Sequence, residues 1–174
     1  MDALEAIFNR TSTRKFTDEN ISDDDLKTIL TAAMSGPSAV NARDWSFVVV
    51  RDKDKLEKMA DANVQFSEPL RGANVGILVC GDLDRAFPAA PDFWVIDGSI
   101  AAQNISIAAE AMGIGCVWLG VYPLKDRVEN QTALFGLPET QIPHSILALG
   151  YPNPSAKKRE KLLYEEDRVH FESW

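Results

Sequence analysis

Arg10, Ser12 and Arg14 are the residues whose types and spacing could do chemistry, and that chemistry is the capture of an anion. They lie in the stretch Arg-Thr-Ser-Thr-Arg-Lys-Phe at 10–16. Two guanidinium forks match the oxygens of a phosphate, and the Ser12 hydroxyl adds a neutral donor between them. A second basic cluster, Lys157-Lys158-Arg159 with Lys161, comes near the other end, and the two clusters hold seven of the 18 Lys and Arg. In a chain of net charge -8, such crowding of cations has an anionic ligand as one explanation and two solvated loops as the other. The loop Pro37-Ser38-Ala39-Val40-Asn41-Ala42-Arg43-Asp44-Trp45 is a second candidate. Its small side chains let a flat ligand approach the backbone, and Asn41 can both donate and accept hydrogen bonds. An ordinary helix-to-strand turn would have the same composition. Other chemistries lack their residues. His144 and His170 have no partners at the spacing of a triad or a metal site. There is no P-loop and no dinucleotide glycine fingerprint. Cys80 and Cys116 sit in apolar runs and read as buried thiols, with nothing in the sequence near Cys116 to lower its pKa.

The elements that must position these residues belong to one domain. A chain of 174 residues with 45% hydrophobic and 25% charged content can bury a sizeable core. The acidic balance argues against a nucleic-acid partner. No apolar run is long enough to span a bilayer, and the first residues lack a signal-peptide core, so a cytoplasmic protein without membrane contact is expected.

In chain order, a short amphipathic helix over 2–8 presents Leu4, Ile7 and Phe8. Ser22, with Asp25 three positions on, opens a helix whose apolar positions are Leu26, Ile29, Leu30, Ala33 and Met34. Gly36-Pro37 stops it. A buried strand is expected over 46–50, a charged surface helix over 52–63 packed through Leu56 and Met59, and an irregular 64–74. A second strand over 75–80 leads into an excursion rich in Asp, Pro and Ala. The longest helical pattern, 93–112, is apolar all round and ends at Gly113, as suits a helix buried within a subunit or at the seam of a dimer. A strand over 115–121, a short helix over 125–134 and a strand over 145–149 complete the pattern. Strands alternating with helices suggest a parallel sheet by default. The stretch 153–174 carries the second basic cluster and then Tyr164, Val169, Phe171 and Trp174 without helical period. Such aromatics need a surface to cover, and an arm docked on a second subunit is one reading, a frayed tail the other.

Four motifs in order give this chain a resemblance to the FMN-dependent nitroreductase family. They are Arg-Thr-Ser-Thr-Arg-Lys-Phe at 10–16, Pro-Ser-x-x-Asn-x-x-x-Trp at 37–45, Gly-x-Gly-Cys-x-Trp-x-Gly at 113–120, and Gly150-Tyr151-Pro152 followed by Lys157-x-Arg159 and a Val-His-x-x-x-Trp ending. The resemblance covers nearly the whole chain and overrides the parallel default. It implies an α+β fold: a central mixed, mainly antiparallel sheet flanked by helices, in an intertwined homodimer that exchanges C-terminal arms (151–174) and holds two FMN sites at its interface. It implies that Arg10, Ser12 and Arg14 hold the phosphate and ribityl chain, with Arg14 also near the flavin pyrimidine edge, and that Lys157 and Arg159 are further phosphate ligands. Pro37, Ser38, Ala39 and Val40 would lie against the isoalloxazine of the other subunit, with Asn41 a polar contact to the ring. Val117, Trp118, Leu119 and Gly120 would offer backbone amides to the flavin N5 and O4.

The implied activity is an NAD(P)H:acceptor oxidoreductase. Flavin N5 would take hydride in a ping-pong cycle and pass reducing equivalents to nitroaromatics, quinones or similar flat acceptors. No metal and no catalytic side chain is expected, Arg14 tuning the flavin instead. A non-catalytic flavin carrier or sensor, or a flavin-consuming member of the same fold, is the alternative. The chain departs from the family at Asn41-Ala42-Arg43-Asp44-Trp45, where Gln-Pro commonly precedes the tryptophan. Arg43 and Asp44 are therefore expected at the pocket entrance.

Overall fold

A computed structural model of the protein describes residues 1–155 and 164–174. Helices α1 (Ala3–Asn9) and α2 (Asp23–Met34) precede strand β1 (Trp45–Val50), with a 3-10 turn at Ala39–Asn41 between α2 and β1. Then come α3 (Lys53–Ala62), α4 (Glu68–Arg71), β2 (Val75–Asp82), α5 (Trp94–Ala111), β3 (Gly115–Gly120), α6 (Lys125–Phe135) and β4 (Gln141–Gly150). The helix starts follow from local chemistry. Ser22 Oγ accepts from Asp25 N at 3.0 Å, and an Asp52 carboxylate oxygen accepts from Lys55 N at 2.8 Å, so each cap satisfies an amide that the first turn leaves open.

The four strands lie in the order β1-β2-β4-β3, and every neighbouring pair is antiparallel. The parallel default is thus overturned and the α+β expectation upheld. The one parallel element among the described residues is an isolated bridge, Ser12 to Cys116. Alternation along the strands splits the core in two. Ile77, Val79, Leu147, Leu149 and Cys116 face α2 and α5, whereas Leu78, Cys80, Ile146, Ala148 and Val117 face Leu56, Met59 and Leu70 of α3 and α4. β1 is half-exposed rather than buried, because it is an edge strand. The expected loop over 64–74 contains α4, and β4 runs ten residues where five were expected.

Several apolar side chains remain uncovered within this chain. Leu4, Ile7 and Phe8 of α1 are exposed, and α1 packs on α5 through buried Ala6. Ile96 of α5 is exposed too, as are Tyr164, Phe171 and Trp174 beyond β4. Among the described residues no helix is long and apolar enough to cross a membrane.

Candidate functional site

The 10–16 segment is laid along the outer edge of the sheet. Thr13 N donates to Cys116 O at 3.0 Å, and Phe16 bridges Pro152. Thr17 N donates to Tyr151 O at 2.9 Å, and Asn153 N to Lys15 O at 3.0 Å. Glycine makes this close approach possible at two places. A Cβ on Gly115 would fall 2.6 Å from Thr13 Cγ2, and one on Gly150 would fall 2.8 Å from Phe16 Cβ. The segment is thereby held between the first residues of β3 and the chain leaving β4.

Its cations are open. Arg14 is exposed and donates only to Ser12 O, at 3.2 Å, and among the described residues neither Arg10 nor Arg14 has a carboxylate partner. Arg10 is close enough to Cys116 for its charge to act on the thiol. Burial nevertheless dominates and pushes that thiol up to about 12, against the smaller opposing pulls of the Ser106 hydroxyl and Arg10. Cys80, buried in β2, is pushed to about 12 by burial alone. Neither forms a disulfide, and neither is a nucleophile at neutral pH.

Beyond Cys116, the outer edge of β3 carries backbone groups that β4 does not use. In an antiparallel pair alternate residues turn their N–H and C=O away from the partner. Cys116 faces outward, toward Thr13, so Trp118 and Gly120 face outward as well. The Gly120 carbonyl accepts from Arg127 Nη1 at 2.7 Å, which brings a further cation to this edge. Arg127 is a residue the sequence pattern did not single out. The strap thus brings Ser12 and two arginines to the Cys116 end of β3, a set of donors whose chemistry suits an anionic group such as the phosphate of FMN.

Behind β3 lies His144. The register of β2 and β4 slips between Val79 and Cys80, leaving His144 the extra residue on β4, and its ring turns toward α5. Nε2 lies 3.1 Å from Val95 O and 3.2 Å from Ser99 Oγ, and Nδ1 lies 2.9 Å from Ser145 Oγ. A carbonyl only accepts, so Nε2 carries the proton and Ser145 donates to Nδ1. Burial lowers the pKa, opposed by the Val95 carbonyl, and the ring is neutral at pH 7. Trp118 stacks edge-on against it, at 5.8 Å between centroids. His144 is a satisfied core histidine that supports Trp118 from behind.

The Pro37–Asn41 loop lies elsewhere, on the first turns of α5. Ala39 N donates to Asp97 Oδ2 at 2.9 Å, and Val40, Asn41 and Arg43 take positive φ of 47, 58 and 53°. Beside the loop is a cavity of about 360 Å³, lined by Pro37, Ser38, Val40, Phe87, Ile96 and Asp97 among others. Arg43 sits over the Trp45 ring at 5.4 Å. Asp44 is not at an entrance, contrary to expectation: it is 0% exposed, and the chain turns it inward beneath the loop. Within one chain, then, the segment of Arg10, Ser12 and Arg14 meets β3 at Cys116, next to Val117 in the strand that runs on through Trp118 and Leu119 to Gly120, while Pro37, Ser38, Ala39, Val40 and Asn41 lie on α5. Lys157 and Arg159 lie outside the described residues. Among those residues no group of His, Cys, Asp and Glu could hold a metal ion.

This sheet, with an N-terminal basic segment strapped along its edge, defines an α+β flavoprotein-like class, and sequence comparison narrows it. The pattern of the Nitroreductase family matches residues 7–68 and 65–151, and the chain belongs to that family. A protein of Methanothermobacter thermautotrophicus with the provisional name NADH dehydrogenase/NAD(P)H nitroreductase is 46% identical over 174 residues, all of this chain and 88% of that one. A crystal structure of a protein with the same provisional name from Bacteroides thetaiotaomicron superposes with a TM-score of 0.90 at 39% identity, over 99% of this chain and 98% of the other. An FMN-dependent nitroreductase of Clostridium difficile superposes with a TM-score of 0.85 at 26% identity, over 98% and 99%.

Proposed function

We propose that the protein is an FMN-dependent NAD(P)H oxidoreductase acting on flat acceptors such as quinones and nitroaromatics, built as a single domain over 1–174 and working as a homodimer. Its relatives are FMN-dependent and NAD(P)H-linked by name, and the chain has no dinucleotide motif of its own, so donor and acceptor use one open site in turn. Bound FMN supplies the two-electron relay between them.

The chain's residues do the rest. Arg10, Ser12 and Arg14 bind the phosphate and ribityl oxygens, joined by Lys157 and Arg159. The outward backbone of Trp118 and Gly120, with Val117 and Leu119 setting the strand, orients the ring edge. Arg14 holds a fixed positive charge that favours an anion forming in a partly dry site. A second copy contributes its Pro37, Ser38, Ala39, Val40 and Asn41 to exclude water over the ring. Exposed Leu4, Ile7, Phe8 and Ile96, together with the aromatics of the 151–174 arm, supply the apolar surface such a partner would cover.

One observation carries this reading: two arginines that have no carboxylate partner among the described residues are carried on a strap along the outer edge of β3. The test is uptake of FMN followed by anaerobic titration with NADH and NADPH. Bleaching and recovery of the flavin colour with a quinone is the expected result. A colourless protein that binds no FMN, or a bound flavin that neither nucleotide reduces, would sink it.

A further inference from the structure

Two carboxylic side chains from distant parts of the chain meet beneath the Pro37–Asn41 loop. Asp44, at the loop's end, is 0% exposed, and Asp97, in the first turn of α5, is 3% exposed. They face each other within hydrogen-bonding reach, yet neither Asp44 oxygen has a donor. Two carboxylates cannot bond to one another; the contact becomes a hydrogen bond only when one of them carries a proton. Asp97 has compensation from the Ala39 N–H at 2.9 Å and from the positive end of the 18-residue helix. Asp44 has only the smaller opposing pull of its own amide, outweighed by burial and by Asp97, so the proton belongs on Asp44.

The charged surroundings act the same way. Asp82, at the end of β2, adds negative charge, and its amide is bonded to Asp44 O at 2.9 Å. Arg43 turns onto Trp45 instead. His144 of β4, which packs against Gly98, is neutral, as its own contacts require.

We propose that Asp44 is a positioning residue that shares a proton with Asp97 and, through it, holds the Ala39 amide and the Pro37–Asn41 loop in the shape that receives the flavin. The part concerning flavin rests on the function proposed above; the shared proton does not. Burial first, and then the bond and charge of Asp97, raise the Asp44 pKa from 3.8 to about 6. A raised carboxyl pKa means that the folded state keeps a proton the unfolded chain releases. The stability tied to that proton is complete below about pH 4 and lost as pH rises through about 6. Above that point two buried negative charges repel, Asp97 loosens its hold on Ala39 N–H, and a loop whose Val40 and Asn41 take positive φ loses its anchor.

The experiment compares wild type with Asp44→Asn, an isostere that donates to Asp97 at every pH. In the flavin-free proteins, thermal unfolding is followed from pH 4 to 8, and the infrared carbonyl band of a protonated carboxyl is recorded at pH 5 and pH 8. Wild type is expected to lose stability relative to the variant across this range, and the wild-type-minus-variant infrared spectrum to show a carbonyl band at pH 5 that is gone at pH 8. FMN affinity is then measured as the ratio of wild type to variant at each pH, which cancels the titration of the flavin phosphate itself. That ratio is expected to fall about tenfold from pH 5 to pH 8.

Parallel stability curves and no carbonyl band overturn the shared proton. A shared proton with a constant affinity ratio overturns its link to the loop. A wild type that takes up no FMN at any pH overturns the flavin reading and this proposal's second half, while the flavin-free measurements still decide the first. Should Asp44→Asn not fold, Asp97→Asn keeps an acceptor for Ala39 N–H and a donor for Asp44, and the same outcomes apply.

Discussion

The outer edge of β3 and the underside of the Pro37–Asp44 loop are both rich in unsatisfied polar groups, and they differ in where those groups point. At the edge, Arg14 is exposed and Arg10 half-buried, with no carboxylate partner among the described residues, and an open charge so placed costs little until a ligand arrives. Under the loop, Asp44 and Asp97 face each other away from water, where an open charge is expensive and a proton must fill the gap. The first arrangement is built for something that comes and goes from outside. The second responds to the solution's acidity and to nothing bulkier.

This contrast can be broken in order of expected effect. Replacing Arg10 and Arg14 together by alanine should weaken FMN binding about a hundredfold or more, as expected for two lost charge-assisted contacts. Because both side chains lack carboxylate partners among the described residues, the melting temperature of the flavin-free protein should hardly move. A large loss of stability would show that these arginines serve the fold. The mirror-image experiment is the pH dependence of stability. The proton kept by Asp44 should make the flavin-free protein roughly 3 kcal/mol more stable below pH 4 than above pH 6, all else equal, with Asp44→Asn removing that slope. Denaturant titrations at the two pH values measure it.

Glycines give a sharper comparison along one strand. Gly115→Ala sets a methyl 2.6 Å from Thr13 Cγ2, whereas Gly120→Ala meets open space. The first should cost about 1–3 kcal/mol and weaken FMN uptake as the basic segment is pushed off the edge; the second should leave the stability of the flavin-free protein unchanged. Equal effects would mean the segment is not seated by Gly115. The smallest effect concerns the thiols: with both pushed to about 12, alkylating reagents at pH 8 should leave Cys80 and Cys116 unmodified in the folded protein, as mass spectrometry would show.

Some of this was legible in the sequence because its causes are local. Ser22 caps a helix within three residues of its own position, and Arg10 and Arg14 announce their chemistry by type. The sheet was not legible from pattern: alternating strands and helices favour a parallel reading, and only the pairing of β2 with both β1 and β4 makes it antiparallel. Local motif spacing carried the family resemblance that corrected it. The exposed face of β1 was missed because an apolar run does not say which strand is an edge. Asp97 left no signal at all. It is a single carboxylate in an apolar helix, and the amide it holds is 58 residues away. Asp44 was noticed but misplaced, since the loop's departure from the family pattern put it at the pocket entrance and the backbone turned it inward.

The strap over β3 has a consequence for how the protein keeps to itself. An open strand edge invites another strand, which is how sheets aggregate. Here Thr13 occupies the carbonyl of Cys116 and Arg127 that of Gly120, so among the described residues the edge is already interrupted at both ends and templates a second strand poorly. In the function proposed above, the same trimming that guards against misassembly would act as a size filter, admitting the rim of a planar heterocycle and refusing a peptide.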